Sequence, residues 1–587
     1  MKPLPTFAFT SFLLFMLILG MLLVASSSAN FFPDPIPAGI QITSGGTVTG
    51  TNLIQRNGDV YTLTGDIYCT IVILRDGIVL DGGGYTLRGS GSGAGVFLQE
   101  RSNVVIQNMR IVNFAYGVKF TWLNYGQPTA ARSNTVTGST FINNTYGIAL
   151  YDFSEGNQIS DNYFENNTYG IGLSSPGNNV LRRNQFWNNA GSIFDSGANA
   201  NDIDTSNTVN GKPVCYWVNQ HDKTVPSGTG WVMLKNCSGI TVQGLNLAGN
   251  VQGVLLHNTN DSTISGNVIT NNLEGIALRY SHGNVISSNR ISNNNGYGIS
   301  LEYVSNSNII TKNEIANNAK DGVNFGYYTI NATVTENHVT GNGGNGIFFH
   351  DIQDSTVAGN NATLNKGCGI GFGYGPGIIT ENNITGNNVG IWLSNANKNT
   401  ITWNNITENT GWGIRLEGSQ GNNTIHHNNF INNSITEALQ ASVLGIWTYP
   451  GLNKPPRWNT TTPIITPTPE PEMPKFAPGN SNFWDDGKEG NYWSDYAKRY
   501  PNATEIRSTG VGDTPYFINE NNADRYPLMR PAACNSNSTA QQQESEEFAE
   551  ASLPVDNAVA VTAATATVIG ILTASAYLLL KRKHSTA

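Results

Sequence analysis

From Gly253 to Gly413 the chain alternates short apolar runs with Asn, Gly, Ser and Thr, and the alternation repeats. Gly275-Ile276-Ala277-Leu278 returns as Gly298-Ile299-Ser300-Leu301. Marking the Gly that opens each such run gives Gly147, Gly170, Gly253, Gly275, Gly298, Gly322, Gly346, Gly369, Gly390 and Gly413. From Gly253 the steps are 22, 23, 24, 24, 23, 21 and 23 residues, and Gly95 and Gly117 fit more loosely. A fixed period in this range means stacked repeats. No unit carries a helical period. Apolar residues alternate over short runs such as Ile299/Leu301 and Val285/Ile291, bounded by Asn and Gly, which is the signal of short strands and tight turns. Leucine-rich repeats would need Leu at most apolar positions and a helical half, and neither is present. The pattern predicts an all-β parallel β-helix. About a dozen coils, each rising about 4.8 Å, would make a rod on the order of 60 Å long.

A second column runs through the units eight or nine residues before the Gly: Asn162, Asn267, Asn289, Asn313, Asn337, Asn360, Asn382 and Asn404. Stacked Asn side chains can bond amide to amide, and Asn tolerates the left-handed backbone that sharp corners need. The column is read as structural. Cys215 and Cys237 lie one period apart, which would place them in neighbouring coils within disulfide range. Two buried free thiols are the other reading, and spacing alone leaves both open. Residues 211–230 lack the Asn pattern and are expected to bulge from one coil.

The remaining boundaries follow from composition. Residues 1–29 have a basic start, an apolar run and a small-residue patch, as in a secretory signal. Residues 30–94 would form an N-terminal cap and first coils, and 95–443 the repeats. Residues 444–480 are rich in Pro and Thr and read as an insertion or tether. Residues 481–531, dense in aromatics, read as a cap over the open end of the solenoid. A polar, acidic stalk at 532–557 precedes 558–580, an uncharged stretch long enough to cross a bilayer, and a basic tail at 581–587. The chain is thus expected outside the cell, held in the membrane by a single C-terminal helix. With 12% charged residues, a net charge of −9 and a pI near 5.4, nucleic acid is excluded as a partner. In an exported chain the sequons at Asn143, Asn166, Asn236, Asn331, Asn383 and Asn405 are candidate glycosylation sites, though many sequons arise by chance in so Asn-rich a sequence.

Several stretches resemble one family: YTLTGDIYCTIVILRDGIVLDGGGYTLRG (61–89), GKPVCYWVNQHDKTVP (211–226), the repeated GIxL…NxIxxN units, and WDDGKEGNYWSDY…GVGDTPYFINENNADRYPLM near the end. They look like NosD-like proteins carrying the CASH domain, named for carbohydrate binding and sugar hydrolysis. The resemblance covers roughly 40–531 and implies a right-handed, pectin-lyase-like β-helix. Combined with a signal and an anchor, it looks like archaeal surface proteins of this group. It also implies one of two activities, copper delivery or glycan binding and cleavage. Copper delivery is the less supported here. The seven Met residues do not cluster with His and Cys, and His426-His427 sits in what reads as an ordinary repeat unit, so no metal site and no cofactor is assigned.

Catalysis on such a fold needs carboxylates close in space. Asp81 reads as turn chemistry. His350, Asp351 and Asp354 form the densest ionisable cluster of the repeats, with a solvated corner as the plainer reading. Asp485, Asp486 and Asp495 match no calcium loop. No catalytic residue is assigned. Five residues beyond the unit Gly stand Tyr280, Tyr303, Tyr327, Asp351 and Tyr374; one residue earlier stand His257, Arg279, Glu302, His350 and Glu417. In register these give an aromatic stripe beside a hydrogen-bonding stripe, which suits the apolar face and the hydroxyls of a sugar. A tyrosine ladder that only stabilises the turn is the alternative. The sequence therefore points to a surface protein that binds or scaffolds extracellular carbohydrate or another cell-envelope polymer. A polysaccharide lyase, hydrolase or epimerase, or a structural envelope glycoprotein, are its rivals.

Overall fold

The computed structural model describes residues 37–121, 131–151, 154–174, 177–196, 199–418, 421–434, 439–441, 482–519 and 522–533. The expected leader, Pro/Thr-rich segment, membrane span and tail lie outside these residues, as does the stalk beyond Ala533. No helix among the described residues is long and apolar enough to cross a membrane.

Each coil contributes one short strand to each of three parallel sheets. Inward side chains alternate with outward ones, so that Ile276 and Leu278 enter the core while Ala277 and Arg279 face out. The unit Gly is required by close approach: a Cβ on Gly298 would lie 2.6 Å from the carbonyl oxygen of Gly322 in the next coil. Corners take left-handed backbone, with φ of 56° at Asn293 and 55° at Asn317. The Asn column is a buried ladder. Nδ2 of Asn289 donates to Oδ1 of Asn313 at 3.0 Å and to the Ile264 carbonyl one coil back at 2.9 Å. The same pattern runs through Asn337, Asn360, Asn382 and Asn404 to Asn428.

The expectation of one rod needs correction. The coils form two solenoids with separate hydrophobic cores. The first ends at Thr208–Val209. There the chain reverses through Asn210 (φ 48°) and Gly211 (φ 77°), so that Val209 pairs antiparallel with Lys212 and Thr208 with Pro213. Two consecutive positive-φ residues are what a tight hairpin demands. Lys212–Val218, placed in the expected bulge, is instead the first strand of a new sheet, here called the front sheet. Its inner face carries Cys215, Val232 and Leu234 into the second core. Its outer face carries Val214, Tyr216, Trp231 and Met233, with Leu255 and Ala277 from the next coils, into the core of the first solenoid. The wall of one solenoid thus closes the open end of the other.

At that junction Asp195 and Lys235 form a fully buried ion pair at 3.0 Å. Tyr216 Oη and Asn201 Nδ2 also donate to Asp195, at 3.0 and 3.1 Å. At the far end residues of the cap cover the last coil: Tyr492–Trp493 adds a strand beside Asn429–Ile431, and Trp493 stacks between Phe430 and Tyr516 at 4.6 and 4.3 Å.

The change of direction also shifts the two cysteines out of register. Cys215 pairs with Val232, a step of 17 residues rather than 22, so Cys237 lies beside Gln220, whose backbone N–H reaches its Sγ at 3.4 Å. Both are buried free thiols, and burial pushes the Cys215 thiol up to about 12, with Cys237 adding to the shift.

Candidate functional site

Three files of side chains run along the outer face of the front sheet. The residues just before the unit Gly give Glu274, Tyr297, Asp321, Asn345 and Cys368, linked coil to coil by backbone bonds such as Gly298 N–H to Asp321 C=O. Two residues after the Gly come Ser300, Asn324, Phe348, Gly371 and Trp392 in register. Four residues after it come His257, Arg279 and Glu302. Gly326 stands next beside Glu302, and His350 follows. Gly326 offers no side chain, so the third file is broken between Glu302 and His350, next to Asn324.

Ser300 and Asn324 are 1% and 7% exposed, and Ser300 Oγ and Asn324 Oδ1 have no hydrogen-bond partner. Trp392 Nε1 and Trp412 Nε1 on the same face are also unpartnered. These make four of the nine such buried atoms among the described residues, gathered on one surface of a fold that otherwise pairs its amides in ladders. Each unmet group costs about 1–3 kcal/mol. That cost is recovered when a polar ligand or an ordered water reaches the atom.

The charges around these atoms are desolvated. Burial pushes the Glu274 carboxyl up, against a bond from Gln252 Nε2 at 3.0 Å. Burial likewise raises Asp321, although the Asn345 N–H donates to it at 2.6 Å. Burial lowers His350, with Asp321 opposing, so its imidazole is neutral at neutral pH. Lys320 Nζ lies 4.8 Å from the centre of the Tyr297 ring, and Arg415 Cζ lies 4.9 Å from that of Trp412. Phe348 stacks on Trp392 at 5.6 Å and meets His350 edge-on at 4.9 Å.

The residues singled out in the sequence lie mostly on the rim. Tyr280, Tyr303, Tyr327 and Tyr374 are 45–61% exposed, and the hairpin segment does not cover them. Tyr280 and Tyr303 stack on each other at 5.1 Å from left-handed corners, and His257 meets Tyr280 at 5.8 Å. The two exposed rings thus pack face to face as a ladder along the corner. Arg279 and Glu302 are engaged with each other at 2.8 Å. The ionisable cluster is divided: His350 lies on the outer face, the Asp351 carboxyl is raised by burial at the next position, and Asp354 occupies a left-handed corner. Glu274, Tyr297, Ser300, Asp321 and Asn324 were not singled out. Aligning on the unit Gly and reading the positions one before and two after it would have listed them.

Elsewhere, Asp81 Oδ1 accepts from the Gly83 N–H at 2.8 Å, which is turn chemistry. The acidic residues of the cap do not converge: Asp485 is held by Arg525 at 2.6 Å, and Asp495 accepts from Tyr516 Oη at 3.1 Å. His426, His427 and Asp486 do come together, with one ligand atom of each within 4.8 Å of the others. Of the sequons, Asn143, Asn166, Asn236, Asn331 and Asn383 are exposed. Asn405 is half-buried and accepts from Asn429 Nδ2 at 2.7 Å.

Among solved structures the chain is similar to the periplasmic alginate epimerase AlgG (15% identity, 65% of this chain and 78% of that one, TM-score 0.24). It is also similar to the A-module of the Azotobacter vinelandii mannuronan C-5 epimerase AlgE4 (13%, 64% and 91%, 0.25). A third is a tailspike protein mutant of E. coli bacteriophage HK620 in complex with pentasaccharide (12%, 62% and 72%, 0.27). These likenesses are distant, and no residue is carried over from them. No curated protein matches the chain. Two family models do. The right-handed β-helix region model matches residues 224–362, the coils that follow the chain reversal. The model described as periplasmic copper-binding protein (NosD) matches 51–226 and 322–464, taking in the first solenoid, the hairpin and the later coils of the second. Spanning more than half of the chain and both solenoids, that match makes this protein a member of the NosD family.

Proposed function

We propose that the outer face of the front sheet, around Tyr297, Ser300, Asp321, Asn324, His350 and Trp392, recognises extracellular carbohydrate. The observation that carries this is the concentration of unmet hydrogen-bonding atoms beside aromatic rings on one surface. Sugar hydroxyls both donate and accept, so one ligand class can satisfy Ser300 Oγ, Asn324 Oδ1 and the two indole N–H groups, which are covered in the free chain and are reached when the side chains over them move aside. The rings of Phe348 and Trp392 lie alongside, where the apolar face of a pyranose packs. In this proposal the chain is exported and held at the cell surface by residues 558–580.

A glycan array with the full chain tests this. The Asn324→Ala/Trp392→Ala variant should bind at least about tenfold more weakly, from the loss of one or two hydrogen bonds and a ring. The Tyr280→Ala/Tyr303→Ala variant should bind nearly as wild type. Equal binding by the wild type and the first variant refutes the assignment.

A second reading has its own support. Glu274, Glu302 and Asp321 face the same side, two of them with raised carboxyl pKa values, beside a neutral His350. Such groups suit proton transfer in sugar cleavage or epimerisation. Shortened or epimerised product on incubation, lost in Asp321→Asn, would favour an enzyme.

A further inference from the structure

We propose that the binding face continues across the junction onto the first solenoid, where Tyr116, Tyr146 and Tyr169 extend it, and that it takes a neutral polysaccharide segment long enough to occupy both solenoids. This rests on the front-sheet reading given above. The first solenoid has a sheet of its own beside the junction, whose strands include Tyr116–Thr121, Tyr146–Tyr151, Tyr169–Ser174 and Gly191–Asp195. In three successive coils the residue just before the unit Gly is a tyrosine. Tyr116 and Tyr146 stack at 5.5 Å and Tyr146 and Tyr169 at 4.6 Å, and all three are half-buried. Lys119 Nζ lies 4.7 Å from the centre of the Tyr116 ring. On the front sheet the same position before the Gly is held by Glu274 and then Tyr297.

The two rows meet where the solenoids touch. Tyr169 is in register with Gly191 of the next coil. A Cβ on Gly191 would lie 2.5 Å from Val251 Cγ2 and 3.3 Å from Leu273 Cδ1, and Leu273 adjoins Glu274. Ser192 Oγ donates to the Gly249 carbonyl at 2.7 Å. Tyr169 thus stands one coil from the second solenoid, on the side of Glu274. Burial raises the Tyr169 phenol, and the Glu274 carboxylate adds to the shift. Burial raises Tyr297 too, with Asp321 and then Glu274 adding. Glu274 is therefore set between one tyrosine from each solenoid. The outward side chains of the front sheet that enter the first core end at Ala277, and Ser300 follows it in register. The tyrosine row arrives at that boundary, next to the unmet Ser300 Oγ.

Length and charge narrow the class of ligand. Two coil rises separate Tyr116 from Tyr169 and four separate Tyr297 from Trp392, so the two rows together run about 30 Å. A run of that length is filled by a polymer segment, and occupying the second row after the first carries the gain of a linked site. Half-buried phenols offer apolar ring edges and hydroxyls that both donate and accept, with little conformational entropy to lose. Glu274 and Asp321 lie desolvated on the same path, and a chain bearing its own carboxylates would be repelled there. A neutral chain of hydroxyl-bearing sugars meets no such opposition.

Calorimetric titration of the full chain with linear glucan, mannan and xylan oligomers of four and of ten units tests the junction. At least one series should bind, its decamer at least about tenfold tighter than its tetramer. Tyr146→Ala/Tyr169→Ala should bring the decamer down to the affinity of the tetramer, whereas Asn324→Ala/Trp392→Ala should weaken both. Should the alanine pair melt early, Tyr146→Phe/Tyr169→Phe keeps the stacked rings and deletes two hydroxyls, and the decamer should then lose about fivefold or more. A decamer gain that survives both tyrosine pairs, or no gain over the tetramer, overturns the proposal and leaves the front-sheet assignment standing. Tighter binding of a polygalacturonate decamer than of every neutral one overturns the neutral class. No binding of any of these probes, or binding indifferent to Asn324→Ala/Trp392→Ala, refutes the front-sheet reading and this inference with it.

Discussion

Lys235→Met isolates the contact that closes the first solenoid against the second. Lys235 and Asp195 side chains are 2% and 0% exposed, and Lys235 Nζ lies 3.0 Å from both carboxylate oxygens. Lys235 Nζ also donates to the Asn199 carbonyl at 3.0 Å. Met keeps the length and apolar stem of Lys, so packing beside Tyr216 is nearly preserved. The charge of Asp195 then remains in a dry junction, with the Tyr216 hydroxyl and the Asn201 amide among its remaining donors. Removing one partner of a buried pair costs about 3–5 kcal/mol. Neutralising both partners in Asp195→Asn/Lys235→Met should recover at least about 2 kcal/mol of that, because the uncompensated charge is gone. Equilibrium denaturation in urea, followed by the fluorescence of Trp231 (1% exposed at the junction), reads both values. A single-mutant loss below about 1 kcal/mol, the range of exposed pairs, would mean that water reaches Asp195 and that the front sheet does not seal the first core.

Other outcomes follow from the same geometry. Asn337→Leu removes the acceptor for the Asn313 N–H and Nδ2 and the donor to the Ile310 carbonyl, and should cost about 3 kcal/mol or more in denaturant titrations. Gly298→Ala forces a Cβ against Gly322 and Ile315 and should lower the melting temperature, whereas alanine at exposed Gly45, where the nearest atom would be Thr43 Oγ1 at 4.0 Å, meets no such clash. Asp524 is enclosed in the cap, where burial raises its carboxyl from 3.8 to about 7 against donors from Asn491, Trp493 and Tyr526. The folded state then holds the extra proton between those values, so this contribution is full below pH 3.8 and is lost as pH rises through 7. Melts followed by the buried Trp484 and Trp493 should show a cap more stable at pH 5 than at pH 8, a difference that Asp524→Asn removes.

Much of the fold was legible because it is repetitive. Gly275 and its successors are demanded by the carbonyl one coil on, and Asn289 and its successors by the ladder, so each appears at a fixed interval. The reversal at Asn210-Gly211 was also written, as the dipeptide of a tight hairpin between apolar runs. Extending the 22-residue period across it turned a first strand into a bulge and placed Cys237 over Cys215. The candidate site was half legible. Gly275 and Ile276 both turn inward, so simple alternation fails near the unit Gly. Counting four and five residues on from the unit Gly reaches the corner tyrosines and their neighbours, and passes over Ser300 and Asn324 two residues on and Glu274 one residue before. The approach of Asp486 to His426 was invisible, because it depends on where the cap docks and not on any local spacing.

The ladders have a direction, and the cap is where that direction ends. Each amide donates onward, so the last coil would present unmet N–H groups to whatever strand came next, including one from another copy. Asn491 and Asn482 supply the final acceptors to Asn428 and Asn423, and Asn491 turns its own Nδ2 back to Ile425 and Trp484. A coil inserted between Asn289 and Asn404 meets the same amide ladder above and below. Solenoid length can therefore change by whole coils through duplication without any new contact being invented, whereas loss of the cap would expose a template for end-to-end fibres.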